Sequence, residues 1–437
     1  MTTPMIIGMV VMMTFGLVDT FFIGMLGTQE LAAISFTFPV TFTVISLNIG
    51  LGIGTSAVIA KLLGAGKQNQ AKETASGALM LTMLMAVVLA LVGVFTIDPI
   101  FRLMGADDSL LTFIREYMVV WYGAGIFLSI PMVGNSVLRA AGDTKTPSIV
   151  MATSGVINVI LDPILIFGFG PISGMGIQGA ALATLIAWAL AVVYILYILA
   201  IQRQLVEPRL LSWQELKRSS GDILKIGLPA AGANMLTPIS TGVVTAIVAG
   251  YGPFAVAAWG VGGRLESIAS IVVLSLSMSL PPFISQNLGA NKLERISEAF
   301  SVCAKFVLLW QALIFILIAL LSKMIADIFT SEPEVVTIIV LFLVIVPLGY
   351  GFQGLTILAN SSFNAMHMPM SALLLNIIRL FVFIVPFAFI GSYYFDLVGL
   401  FWGAVAANVI IGCIAFIWFK KVLKTHMAVE NMKRELI

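Results

Sequence analysis

Histidine and cysteine are scarce in this chain, with two of each in 437 residues. His367 and His426 are too few for a haem or metal centre built on imidazole. Cys303 and Cys413 both fall in apolar stretches, which argues against a disulfide framework or a thiolate metal site. Charge is scarce as well: 10% of residues are Asp, Glu, Lys or Arg, where a soluble domain carries about 25%. There is no Walker lysine loop, so ATP is not expected as the drive. There is also no His-Glu-x-x-His and no credible Ser-His-Asp set, so no enzyme is expected. A net charge of +2 gives no support for nucleic-acid binding. The first apolar run lacks a basic n-region and a small-residue cleavage site, and reads as a retained span.

What is abundant is apolar surface: 60% hydrophobic residues and a mean hydropathy of +1.07. No soluble fold of this size hides that much, so the solvent must largely be lipid. Continuous apolar runs predict twelve helices, over 4–25, 34–62, 76–97, 117–138, 147–168, 177–201, 223–250, 257–287, 298–321, 334–358, 370–390 and 396–420. The runs are unbroken rather than alternating over about ten residues, which excludes a β-barrel. The expected class is an all-α integral membrane protein. Lys and Arg gather after the even-numbered runs, as at Lys61, Lys67, Arg139, Lys145, Arg203, Arg209, Lys292 and Lys420. The loops after odd-numbered runs hold only Arg102, Arg115 and Lys323. The Lys/Arg excess marks cytoplasmic loops, so both termini are expected inside.

The most polar connection, Gln202 to Ser220, sits almost at the midpoint. It suggests an N-terminal six-helix lobe over 1–201, a cytoplasmic linker over 202–222, and a C-terminal lobe with a short tail over 223–437. The halves also resemble one another. A shift of 225 residues pairs Pro4 with Pro229, Gly27 with Gly252, Gly64-Ala65 with Gly289-Ala290, Lys67 with Lys292, and Asn135-Ser136 with Asn360-Ser361. Gly179-Ala180 meets Gly403-Ala404 one residue out of step. Six spans per half make the repeat parallel, and parallel-repeat transporters place substrate between the halves near the bilayer midplane. The loops 61–75 and 139–147, with their partners 286–298 and 360–369, are expected to form the cytoplasmic closure.

Few ionisable residues fall inside the runs. Asp19, Asp162 and Glu266 are the acids, Arg264 and Arg379 the bases. Such a group is costly in lipid, so it faces a cavity or partner and often has a role. Asn158 and Asp162 are four apart and share a helix face, and Pro163 leaves a carbonyl one turn earlier available. Two carboxylates, an amide and a free carbonyl suit either a shared proton or a small hard cation bound by oxygen. The repeat partner of Asp19 is Val244, so the site belongs to the first half. Arg264 and Glu266 are two apart and cannot face one another on one helix; each is expected to meet a different neighbour, as structural contacts or cavity lining.

These features together resemble the multidrug and toxic compound extrusion (MATE) transporters. The likeness rests on Pro4 and Asp19 in the first run, Leu62-Leu-Gly-Ala-Gly-Lys67, Leu138-Arg-Ala-Ala-Gly-Asp-Thr-Lys-Thr-Pro147, and Asn158-x-x-x-Asp162-Pro163. Arg264-Leu-Glu266 looks like the DinF-like branch. The resemblance implies a V-shaped inner-membrane antiporter, monomeric, that exports cationic or amphipathic drugs against H⁺ or Na⁺ and contributes to antibiotic resistance. By motif match, Asp19, Asn158 and Asp162 form the cation site, with Thr184 a fourth member and Pro4 and Pro163 as hinges. Some relatives carry an acid midway along the seventh span for Na⁺; here Ala233 to Thr245 contains none, which favours proton coupling and no resident metal or cofactor. The chain begins very close to Pro4, and an upstream cytoplasmic segment is expected. Two other readings are a lipid-linked oligosaccharide flippase, which should need more basic residues for pyrophosphate, and a channel or non-transporting receptor; the duplicated architecture with a single asymmetric acid site does not suit the channel.

Overall fold

The computed structural model describes residues 2–207, 209, 211–330 and 332–435. The first half builds α1 (Thr2–Gly24), α2 (Thr28–Gly64), α3 (Gln68–Leu103), α4 (Asp108–Ala140), α5 (Lys145–Phe167) and α6 (Ile177–Tyr197). A two-residue hairpin, β1 (Gly168–Phe169) against β2 (Ile172–Ser173), turns the chain between α5 and α6. The second half comprises α7 (Trp213–Ala249), α8 (Pro253–Ala269), α9 (Ile271–Gly289), α10 (Leu293–Phe329), α11 (Pro333–Ile345), α12 (Tyr350–Ala365), α13 (Pro369–Ile377) and α14 (Val385–Glu435). One bent span is made by α8 with α9, and another by α11 with α12 through a 3₁₀ turn over Val346–Gly349.

Among the described residues eleven helical stretches are long and apolar enough to cross a membrane. The last, Pro369–Glu430, has 62 residues and would be roughly 93 Å long if straight, far beyond about 30 Å of hydrocarbon. It breaks at Phe395 and Asp396, where Asp396 takes φ 52° and ψ −146°. The two limbs then fold back on each other: Gly391 lies against Gly399, and Gly403 against Phe387 and Ala388. Twelve crossings result, as the sequence predicts. Large apolar side chains such as Leu103, Leu309 and Leu320 point outward, a surface stable only in lipid.

The repeat shows in the backbone. Gly66 and Asn291 both end helices in left-handed conformation, with φ of 75° and 55°, and the following Lys67 and Lys292 donate to Leu62 and Asn287 at 2.9 and 2.8 Å. Gly142 and His367 repeat this after α4 and α12, at φ 90° and 60°. The paired Gly179 and Gly403 also do one job: Gly179 lies flat on the backbone of α5 at Leu165–Ile166, and Gly403 on that of the first limb of α14 at Phe387–Ala388. Small residues at such contacts let membrane helices approach without losing packing.

Two compact units divide the chain, Met1–Ala231 and Gly232–Ile437. This departs from the expected boundary. Residues 213–222, assigned to a linker on their polarity, begin α7 instead, and the first half of α7 belongs to the first unit. The reason is packing: a Cβ at Gly50 would stand 2.7 Å from the Ala231 nitrogen, and Ile223 joins Leu51, Ala78, Leu81 and Val133 in one core. Within the first unit α4 is central and packs on α2, α3 and α6; in the second, α12 packs on α9, α10 and α14.

Candidate cation-coupling site

Two contacts set the register of α1 on α5. Gly8 faces Ser148, and the Phe15 ring fills the space left by Gly155. Both steps run the same way along the two helices, so α1 and α5 lie side by side in parallel. Asp19, one turn beyond Phe15, is thereby brought level with Asn158 and Asp162. Helix α6 closes the other side of α5 and supplies Thr184.

Asn158 Nδ2 donates to Asp162 Oδ1 at 3.3 Å and to Thr184 Oγ1 at 3.4 Å, while Thr184 donates to the Ala180 carbonyl at 3.1 Å. Asp162 is fully buried. One oxygen of each acid, Asp19 Oδ1 and Asp162 Oδ2, is buried without a hydrogen-bond partner. The two carboxyls lie within electrostatic reach of each other, and no ion pair reaches either among the described residues. A buried polar atom in lipid needs a partner. Two bare oxygens on neighbouring carboxyls therefore form a place that a proton or a small cation completes.

The structure thus brings together all four residues predicted for the site, and adds one. Tyr117 on α4 is buried within electrostatic reach of both acids. The apolar run begins at 117 and leaves Tyr117 at its edge; α4 in fact starts at Asp108, so Tyr117 lies a further two turns inside. The repeat partners of Asp19 and Tyr117 are Val244 and Phe342, which pack in one apolar core of the second unit. The two prolines expected as hinges do not break their helices. Pro4 occupies the first turn of α1, where a missing N–H costs no hydrogen bond. Pro163 lies near the end of α5, which continues to Phe167. Arg264 is exposed, whereas Glu266 turns inward and accepts from Gln353 Nε2 at 2.9 Å, so the two do meet different surroundings.

The family model described as MatE matches residues 4–164 and again 229–390, the second match starting at Pro229, the repeat partner of Pro4. The chain belongs to the MATE family. A relative from Shewanella oneidensis named "FAD transporter" is 39% identical over 95% of this chain and 92% of its own length. The "Probable multidrug resistance protein YoeA" of Bacillus subtilis is 30% identical over 91% and 88%. Among solved structures, the Vibrio cholerae MATE transporter VcmN in its bent form superposes with a TM-score of 0.92 at 36% identity, covering 97% of this chain and 95% of that one. This MATE protein is accordingly a multi-pass, all-α membrane transporter and not an enzyme.

Proposed function

We propose that this MATE transporter is a secondary exporter of bulky aromatic molecules, driven by protons that enter through Asp19 and Asp162. The observation that carries this reading is the pair of neighbouring carboxyls, Asp162 buried and Asp19 half-buried, each with one buried oxygen that lacks a partner. In lipid such a pair is completed by a proton held between them or by a bound cation. The amide of Asn158 spends its N–H groups on Asp162 and Thr184, which orients the site. The lack of any acid from Ala233 to Thr245 in α7 supports H⁺ over Na⁺. The protein then sits in the cell inner membrane with both termini in the cytoplasm, as the Lys/Arg distribution supports. Efflux from proteoliposomes after a pH jump, compared with a sodium jump at constant pH, tests the coupling ion. Efflux that follows sodium alone overturns the proton.

For the cargo, two readings stand. Cationic and amphipathic drugs agree with the names of YoeA and of the Staphylococcus saprophyticus "Multidrug export protein MepA", 26% identical over 95% of this chain. Flavin adenine dinucleotide is favoured by the greater identity to the Shewanella oneidensis relative. Arg379 in the second unit, whose Nε is buried without a partner, also suits an anionic cargo better than a cationic one. Competition between the dinucleotide and a lipophilic cation for efflux separates them.

A further inference from the structure

The second unit holds a polar cluster of its own, unrelated by the repeat to the carboxyl pair of the first. Glu266 on α8 accepts from Gln353 on α12 at 2.9 Å. Tyr350, at the start of α12, and Arg379 lie within electrostatic reach of the same carboxylate. No ion pair within 4.0 Å joins Arg379 to Glu266 among the described residues. Arg379 Nε is buried with no partner, and so is the hydroxyl of Tyr350, which is 3% exposed. Unpaired donors of this kind are costly in a dry setting, and a ligand with acceptor oxygens would satisfy them. The backbone is also unusual here: Arg379 sits in a π-helical segment, Ile378–Ile384, a distortion that recurs at functional sites.

Resting on the reading that the cargo is a flavin dinucleotide, we propose that this cluster is the substrate anchor. The planar guanidinium of Arg379 takes two phosphate oxygens side by side, a geometry that a point charge cannot match. The Tyr350 hydroxyl donates to the same group. Glu266, oriented by Gln353, accepts a hydroxyl or ring N–H of the cargo beside the phosphate. It also repels the phosphate, which keeps the anchor weak enough to release what it binds. With the site empty, the same carboxylate offsets the charge of Arg379.

The test is equilibrium binding of FAD, FMN and riboflavin to the intact protein in lipid nanodiscs, read by flavin fluorescence. Arg379→Gln should weaken FAD by about 10- to 100-fold, the range for a hydrogen-bonded charge, and leave riboflavin unchanged. Glu266→Gln should tighten FAD several-fold. Opposite changes in two neighbouring variants cannot come from misfolding. The inference fails if Arg379→Gln binds FAD as the native protein does, or loses riboflavin equally, or if Glu266→Gln weakens FAD. Native protein that binds riboflavin as tightly as FAD refutes the anchor while leaving flavin as cargo. Native protein that binds a lipophilic cation and no flavin refutes the cargo reading, and the anchor with it.

Discussion

Replacing Asp19 by Asn keeps the shape of the side chain and removes one titratable group from the carboxyl pair. The consequence can be worked out as an equilibrium. Each proton moving down one pH unit releases about 1.36 kcal/mol, which sustains a tenfold substrate ratio per proton exchanged. Two carboxyls limit this site to two protons per turnover. With the membrane potential clamped at zero, the logarithm of the substrate ratio should rise with the pH difference at a slope of about one or two. Neighbouring carboxyls titrate as a unit, so the slope belongs to the pair and not to either acid. Asp19→Asn and Asp162→Asn should each lower it by at least one. If the native slope is one, both variants lose uphill export altogether. The slope does not depend on how much protein reaches the membrane, so poor expression cannot imitate the result. Steady-state ratios in proteoliposomes at three or four pH differences suffice. An Asp19→Asn protein with the native slope would refute the coupling role.

Asn158→Ala should slow transport by roughly 2- to 10-fold without changing the slope, since it removes hydrogen bonds of about 0.5–1.5 kcal/mol and no proton site; initial rates against slopes check this. Gly179→Ala and Gly403→Ala should each destabilise by roughly 1–3 kcal/mol, because a methyl at Gly179 would stand 2.5 Å from the Leu165 carbonyl carbon. Gly242→Ala, inside α7 with open space around it, should instead stabilise by about 0.5–1 kcal/mol and raise the melting temperature. In the α4–α5 loop, burial opposes ionisation of Asp143, but bonds from Thr146 and the charge of Arg203 outweigh it and hold the carboxyl below its usual value. Its contribution to stability is therefore complete above pH about 4 and lost as pH falls through that range, so Asp143→Asn should flatten the acid limb of thermal unfolding in micelles. His367→Gly, at φ 60°, should be neutral or stabilising by up to about 1 kcal/mol in the same melts.

The bilayer explains which parts of this protein are legible in its sequence. It imposes one length and one polarity on every span, so the number of crossings can be counted from residue types alone. Helix ends obey a different rule: in water a helix continues as long as its caps and partners allow. Hence α3 begins at Gln68 and α7 at Trp213, each about two turns or more before its apolar run. The polar stretch that reads as a linker leads straight into the part of α7 that packs on Gly50 and Gly54 of α2, and its own Ser219 lies against Gly77 of α3. The first site is legible because lipid makes a carboxylate conspicuous, and because Asn158 and Asp162 sit one helical turn apart on α5. Tyr117 is not, since an aromatic residue in an apolar run looks like core until the fold shows what lies beside it. The second cluster is harder still. Glu266 stands out, but its partner Gln353 lies 87 residues along the chain, and neutral Gln and Tyr carry no signal in a hydrophobic run. Nor does the duplication help, because neither polar cluster recurs in the other half. The repeat governs the turns and the glycine contacts, where backbone geometry is what must be preserved. The chemistry departs from it, with acids in one unit and an arginine facing a glutamate in the other. Under the proposed exchange of a proton for an organic anion, that division has a direct use. A carboxyl pair and an anion-binding guanidinium placed together would neutralise each other, and keeping them in separate units lets each hold its own ligand.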